Sequence, residues 1–211
     1  MTQLSLNIFS NEYEDNSIIK AKDLAIEPCL PSTIRWFVEE YHYSHSIDGV
    51  RVSCCFVVTY NSKIVGGLIY GRTATTAWKR YGVTEHEVLE LRRLVLLDRC
   101  GKNSESRVIG WTLRLIAKNL KEVKVVISYA DPNHGHTGII YRASNFEYHG
   151  QTNTDTAYLF NGKTYHSRTL RNKYKGHFKP FVVNLRAAKE RGELEEIQLQ
   201  GKHIYVYRIK R

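Results

Sequence analysis

The order in which the hydrophobic period changes between residues 51 and 150 constrains this chain more than any other feature. RVSCCFVVTY (51–60) is apolar and rich in β-branched residues, and reads as a strand. Asn61-Ser62-Lys63 marks a tight turn, and IVGGLIYG follows as a second strand, so the two form a hairpin. Residues 72–86 are polar and read as loop, and VLELRRLVLLD (88–98) reads as a strand buried on much of its surface. CGKNSESR then turns into a helix through Val108, Ile109, Trp111, Leu113, Leu115 and Ile116, with Asn103, Ser104 or Ser106 as its cap. VKVVISYA (123–130) is the next strand, DPNHGHTG a polar loop, Ile139 to Ala143 a short helix, and Phe146 to Gly150 the start of another strand. This succession contains two consecutive β–α–β steps, which imply right-handed crossovers and a partly parallel sheet. The hairpin ahead of them makes the sheet mixed. The expected fold is α/β, a mixed central sheet flanked by helices. Ligands in such sheets sit at the C-terminal strand ends, where Asp98 to Arg107 and Asp131 to His136 fall.

Outside this stretch the pattern is weaker. Residues 1–30 read as a polar lead-in, and Pro31-Ser32-Thr33 opens a helix through Ile34, Trp36, Phe37 and Val38 that ends near Tyr41. A loop rich in histidine and aromatic residues follows, Tyr41-His42-Tyr43-Ser44-His45. Residues 163–180 carry six Lys or Arg, two His, three aromatics and no acid. VVNLRAAKERGELEEI (182–197) reads as a helix and KHIYVYRIKR (202–211) as a strand with a basic end. With 211 residues, no repeat and no linker, the expectation is one domain over 1–211 with a basic C-terminal extension from about 160.

The net charge of +10, from 31 Lys and Arg against 21 Asp and Glu, favours capture of polyanions. Charge alone does not separate DNA from RNA or from an anionic membrane. The longest apolar runs, such as Ile64 to Tyr70, are too short to cross a bilayer, and the N-terminus has neither the basic nor the long apolar region of a leader. Cys29, Cys54, Cys55 and Cys100 form no CxxC pair or metal-finger spacing and read as reduced, mostly buried thiols. These features point to the cytoplasm, without a membrane partner.

Chemistry concentrates after VKVVISYA, in Ser128-Tyr129-Ala130-Asp131-Pro132-Asn133-His134-Gly135-His136-Thr137-Gly138 and the following Tyr141. A carboxylate at a strand end suits a general base or a hydrogen-bond acceptor. It suits equally a turn in which Asp131 caps the next helix. His134 and His136, or His42 and His45, would hold a metal if a carboxylate joined them. Arg92 and Arg93 lie in an apolar strand, one on each face by alternation, and a cleft arginine needs a carboxylate or an anionic ligand. Glu90 is the local candidate partner for Arg92. The helix start Asn103-Ser104-Glu105-Ser106-Arg107 either caps itself or attracts an anion, but it matches neither GxGxxG nor GxxxxGK[ST]. In the basic run, Tyr165, Tyr174 and Phe178 alternate with Arg168, Arg171, Lys173, Lys175 and Lys179, a mixture that suits phosphates and bases.

ELRRL (90–94), NSESRVIGW (103–111) and VVISYADPNHGHTGIIYRASNFEYHG (125–150) together resemble the bacteriophage Mom proteins, over roughly residues 36–150. HYSH (42–45) and YHSRTLRNKYKG (165–176) are weaker echoes. The resemblance implies a fold similar to the GNAT acyltransferases. It implies conversion of adenine in DNA to N6-carbamoylmethyladenine, which shields phage DNA from host restriction. It also implies catalytic roles for Asp131, Tyr141, Arg93 and Ser106. Arg92, Asn103, Ser104 and Ser128 fall on the donor side, and His42, Tyr43, Ser44, Arg168, Arg171, Lys173 and Lys175 on the DNA side. The chain departs from GNAT enzymes where they carry Gln/Arg-x-x-Gly-x-Gly/Ala for the CoA pyrophosphate. Arg99 to Ser106, RCGKNSES, stands there instead, which argues against an acetyl-CoA-like donor and leaves the donor unidentified. Iron remains a candidate ion. The expected partner is double-stranded DNA with its target adenine out of the stack, because N6 is paired inside the helix. The rivals are a GNAT-type N-acetyltransferase for a protein or small amine, and a non-catalytic DNA-binding protein.

Overall fold

The computed structural model describes residues 17–74 and 76–210. The chain divides into two compact units. One holds the described residues up to Ile127, with Ala143–Asn145 and those from Tyr207; the other holds Ser128–Arg142 and Phe146–Val206.

In the first unit the sheet runs β1-β2-β3-β4-β5, with β1 Ala25–Cys29, β2 Val52–Tyr60, β3 Lys63–Gly71, β4 Val88–Leu96 and the first half of β5, Val125–Ala130. β1 lies inside the stretch read as a polar lead-in. Only Ile26 of it is buried, and it is an edge strand carrying Pro28, so it shows almost no alternation. The β2–β3 hairpin is as expected, with Asn61 and Ser62 both at positive φ, 48° and 63°. Helix α1, Pro31–Tyr41, starts with proline in its first turn and buries Ile34, Phe37 and Val38 against Ile47, Cys55, Val57, Ile69 and Val95. It lies close on β3: a Cβ on Gly67 would stand 3.0 Å from Ile34 Cδ1. Helix α2, Ser104–Asn119, buries Val108, Ile109, Thr112, Leu113 and Ile116, one helical stripe. Asn103 precedes it in the left-handed region (φ 68°) and its side chain makes no cap, so none of the anticipated caps forms as expected. Tyr70 of β3 bonds Thr112 across 2.7 Å in the core. Thr112 Oγ1 spends its proton on the Val108 or Ile109 carbonyl, so Tyr70 is the donor.

On β4 the register against β3 slips between Leu91↔Tyr70 and Arg93↔Ile69, leaving Arg92 as an extra residue. This β-bulge replaces the simple alternation expected of Arg92 and Arg93, and bulges re-aim side chains.

In the second unit the end of β5 neighbours β10, His203–Arg208, and β10 pairs antiparallel with β6, Glu147–Gln151, through Tyr205↔Tyr148. The last strand of the chain thus lies between β5 and β6. Helix α3, Ile139–Ala143, connects those two strands in sequence. A second, three-stranded sheet has the order β8-β7-β9, with β7 Asp155–Phe160, β8 Lys163–His166 and β9 Glu195–Leu199. Asn161 (φ 49°) and Gly162 (φ 73°) make the β7–β8 turn. Helix α4, Pro180–Glu190, is shorter than the 182–197 helix read from sequence. Gly192 takes φ 74°, which ends it, and Glu195–Leu199 pairs with β7 instead. Tyr158, Leu170 and Leu185 form the core here, with Phe160, Tyr165 and Leu194 against it. Among the described residues no helix is long and apolar enough to cross a membrane.

Removing only the Tyr70 hydroxyl, in Tyr70→Phe, is expected to cost about 1 kcal/mol. Emptying the fully buried Phe37 site, in Phe37→Ala, is expected to cost about 3–5 kcal/mol. Urea unfolding of the two variants at neutral pH measures both.

Candidate functional site

Asp131 is the first residue beyond β5, and Lys202 the last before β10, the neighbouring strand. That adjacency makes the central ion pair of the second unit. Asp131 is 6% exposed, and its Oδ2 lies 2.7 Å from Lys202 Nζ. Oδ1 accepts from the Asn133 backbone N–H at 3.1 Å and from Asn133 Nδ2 at 2.8 Å. Asn133 is itself held by the Gln200 backbone, donating to its carbonyl at 3.1 Å and accepting from its N–H at 3.0 Å. Burial pushes the Asp131 carboxyl upward, but Lys202 and the two Asn133 donors outweigh it and hold it below its usual range. Asp131 is therefore a carboxylate, and it also caps the short turn Pro132–His134. Of the two meanings open in the sequence, capping is the one this side chain is seen to perform.

Tyr141 of α3 is buried and its ring lies tilted against Tyr205 of β10, at 5.3 Å centroid distance, and against Phe146, at 5.7 Å. Tyr205 donates to the Thr137 carbonyl at 2.7 Å and accepts from Arg142 Nε at 3.3 Å. Its ring lies against Gly138, where φ is 76° and a Cβ would stand 2.1 Å from the ring. Only glycine fits that loop position. Ser128 is buried on β5. His134 and His136 are exposed, with ring centroids 6.3 Å apart. Burial and then the neighbouring His134 lower the pKa of His136. Among the described residues no three His, Cys, Asp or Glu side chains group together to hold a metal.

In the first unit Arg93 is half-buried and donates from Nε to the Ser46 carbonyl at 2.9 Å and from Nη1 to the Arg92 carbonyl at 2.8 Å. The carbonyl of the bulged residue is thus satisfied by its neighbour's guanidinium. Among the described residues no carboxylate lies within ion-pair distance of Arg93. Burial, and then the charge of Arg92, lower its pKa. Arg92 pairs with Glu90 at 2.8 Å, as the sequence suggested, while its buried Nε meets no acceptor among the described residues. The HYSH loop is tied to the same place. His42 is buried and its Nδ1 accepts from the Ser44 N–H at 3.1 Å; Ser44 Oγ donates to the Ser46 carbonyl at 3.2 Å. Tyr43 is exposed and stacks on His42 at 4.3 Å.

At the start of α2, Asn103 and Ser106 line a cavity of about 570 Å³ with Lys22, Arg107, Arg114 and Asn145. Ser106 Oγ donates to the Asn103 carbonyl at 3.1 Å. Ser104 is fully buried and its hydroxyl meets no partner among the described residues. Three cations and polar side chains line this cavity, which suits an anionic or carbonyl-bearing ligand. The second unit has its own cleft of about 720 Å³ between β7, the turn Ser167–Leu170 and α4, with Arg171, Arg186 and Lys189 on its walls. Arg168, Arg171, Lys173 and Lys175 are all exposed. The cysteines are free thiols, and burial pushes Cys54 and Cys55 up to about 12.

The site residues named from sequence thus fall into two sets. Asp131, Tyr141, Ser128 and the basic run belong to the second unit; Arg92, Arg93, Asn103, Ser104, Ser106 and the HYSH loop belong to the first. Sequence reasoning missed Lys202, Asn133 and Tyr205. Lys202 and Tyr205 stood in what read as a plain basic strand, and the 71-residue separation from Asp131 offers no local signal.

A mixed sheet flanked by helices, with polar groups at a strand end and at a helix start, makes this a GNAT-like α/β protein. The chain belongs to the Mom protein family, which its residues 23–211 match. It is 32% identical over 185 residues, covering 85% of this chain and 75% of the relative, to the methylcarbamoylase mom of Escherichia phage Mu. Among solved structures it is similar to Arabidopsis thaliana NAA60 in complex with a bisubstrate analogue, with TM-score 0.52 and 9% identity over 89% of this chain and 98% of that one. It is also similar to a GNAT family acetyltransferase from Elizabethkingia anophelis with acetyl-CoA bound, with TM-score 0.45 and 11% identity over 88% and 98% of the two chains. At 9% identity the likeness to the first of these is one of fold.

Because the folded Asp131 titrates below its unfolded range, its ion pair stabilises the fold above about pH 4 and is lost as the pH falls through the depressed value. Lys202→Met should therefore lower stability by about 1–2 kcal/mol at pH 7, discounted for the exposed lysine. The deficit relative to the unmodified chain should shrink below pH 4 and vanish once Asp131 is protonated in both. Denaturant titrations at stepped pH read this directly.

Proposed function

We propose that this protein modifies adenine in double-stranded DNA, converting it to N6-carbamoylmethyladenine and so protecting phage DNA from restriction in the host cytoplasm. The observation that carries the reading is the buried, ionised Asp131 at the end of β5, oriented by Lys202 and Asn133, in a chain of the Mom family. An acceptor of fixed direction suits an exocyclic amine, which must surrender a proton as its nitrogen forms a new bond. Asp131 accepts a hydrogen bond from N6 and raises the nucleophilicity of the nitrogen. Tyr141 assists proton transfer or orients the donor.

Arg93 and Ser106 hold an anionic or carbonyl part of the donor. Support comes from the half-buried guanidinium without a carboxylate and from the cation-lined cavity at α2. Arg92, Asn103, Ser104 and Ser128 complete the donor side. For DNA, the exposed Arg168, Arg171, Lys173 and Lys175 engage phosphates, together with Tyr43 of the HYSH loop. In that loop the burial of His42 suits it to holding Tyr43 and Ser44 in place. The target base leaves the stack to reach the carboxylate.

Asp131→Ala is expected to lower the modified nucleoside in DNA from expressing cells by at least about 100-fold, the scale of losing one aligned polar group at a reacting centre. Nucleoside mass spectrometry measures it, and plasmid binding should stay within about threefold in gel shifts. Normal modification by the variant would refute the role of Asp131. Unchanged DNA from cells making the intact protein, with acetyl transfer to an amine by the purified chain, would instead support an N-acetyltransferase.

A further inference from the structure

The basic run contributes three aromatic residues to the second unit, and the structure gives them different work. Tyr165 packs against the core of Tyr158, Leu170 and Leu185. Phe178 is half-buried and clamped by Arg186 of α4, whose guanidinium lies 4.6 Å from the ring centre, with Lys173 at 5.3 Å. Tyr174 is different: it is 60% exposed. It stands at the base of a two-residue hairpin turn, where its N–H donates to the His177 carbonyl at 2.7 Å and the His177 N–H returns to its carbonyl at 3.0 Å. The turn residues Lys175 and Gly176 have φ of 49° and 83°, the primed geometry of a tight, stiff hairpin. A Cβ built on Gly176 meets nothing within 4 Å, so the tip projects into open space. The ammonium groups of Lys175 and Lys179 sit 5.7 and 5.4 Å from the Tyr174 ring centre.

The Tyr174 ring is exposed and lies outside the core of this unit. Two lysines whose ammonium groups lie over the ring, in a run 163–180 that carries no acid, suit a polyanionic partner. A flat ring can enter a base stack, and cations beside it reach the phosphates on either side. We propose that Tyr174 is a wedge: it enters duplex DNA beside the target adenine and fills the space left when that base swings out, while Lys175 and Lys179 hold the flanking phosphates. This rests on the DNA-modification reading above and deepens it, since extrusion of a paired base leaves a gap that raises its cost unless something stacks there.

A wedge that separates base pairs unwinds DNA, a readout that needs neither the donor nor a known target sequence. Relaxed closed-circular plasmid is incubated with the purified full-length chain, treated with topoisomerase I and resolved by topoisomer distribution. The intact protein and Tyr174→Phe are expected to shift the distribution, and Tyr174→Ala to leave it where protein-free plasmid stands while binding plasmid within about threefold. Modified adenine in expressing cells should fall by about tenfold in Tyr174→Ala, the scale of one lost base-stacking contact, and persist in Tyr174→Phe. Unchanged thermal unfolding of both variants establishes that an exposed side chain was altered without loss of fold. Unwinding by Tyr174→Ala equal to that of the intact protein, or plasmid binding by the intact protein without unwinding, overturns the wedge and leaves the DNA reading standing. Failure of the intact protein to bind plasmid at all overturns both.

Discussion

A carboxylate as deeply covered as Asp131 remains ionised only where donors replace the water it has lost. Here one donor is a neighbour in sequence, Asn133, and the other, Lys202, arrives from the far end of the chain. The route is the insertion of β10 between β5 and β6, which starts the last strand beside the place where β5 stops. The same strand carries Tyr205, which packs on Tyr141 and presses on Gly138. The loop after β5 is therefore fixed on three sides by residues 200–205. Its shape is a consequence of strand order, and a chain ending before β10 would leave Asp131 either neutral or turned into water.

The first unit meets a related problem with opposite charge. An extra residue in β4 frees a carbonyl from the ladder, and the following arginine closes on it with its own side chain. Arg93 then spends a second donor on the loop carbonyl of Ser46, where Ser44 also bonds. Backbone carbonyls orient a guanidinium without neutralising it. A carboxylate at the same distance would have quenched the charge that an anionic ligand needs. Arg92, by contrast, does pair with a carboxylate, that of Glu90.

Much of the fold was legible because it depends on period. The β2–β3 hairpin, β4, α2, β5 and the short α3 all fall within a few residues of where alternation and helical spacing put them. The remaining elements depend on weak local patterns or on pairing between distant strands. β1 is an edge strand with one buried residue, so periodicity could not reveal it. The β7–β8 hairpin carries Asn161-Gly162, the strongest short hairpin signal a sequence offers, at the edge of a strongly basic run. The helix read through 182–197 overran because KERGELEEI has helical composition, while Gly192 in the left-handed region and pairing with β7 decided otherwise. For the site, Asp131 and the Arg92–Glu90 pair were readable from local spacing. The Asp131–Lys202 pair and the bulge at Arg92 arise from strand neighbours, which no window of sequence contains.

The chemistry of Asp131 follows from its surroundings more than from its residue type. A carboxyl held below its usual range is a weak base, so it takes a full proton reluctantly from an amine at neutral pH. It remains a strong acceptor of hydrogen bonds, with direction fixed by Lys202 and Asn133. In the proposed reaction its contribution is therefore electrostatic: it favours the positive charge that develops on N6 as the new bond forms, and holds the nitrogen on line. The proton released afterwards needs a different carrier. We propose Tyr141 for that part, a buried phenol of the same unit in ring contact with Tyr205, which would relay the proton by passing on its own as it accepts one; the Tyr205 hydroxyl is already committed to the Thr137 carbonyl. In the proposed reaction a carboxylate that stays charged and a phenol that relays protons would divide the work, so that the donors around Asp131 favour its ionisation without bearing on proton transfer.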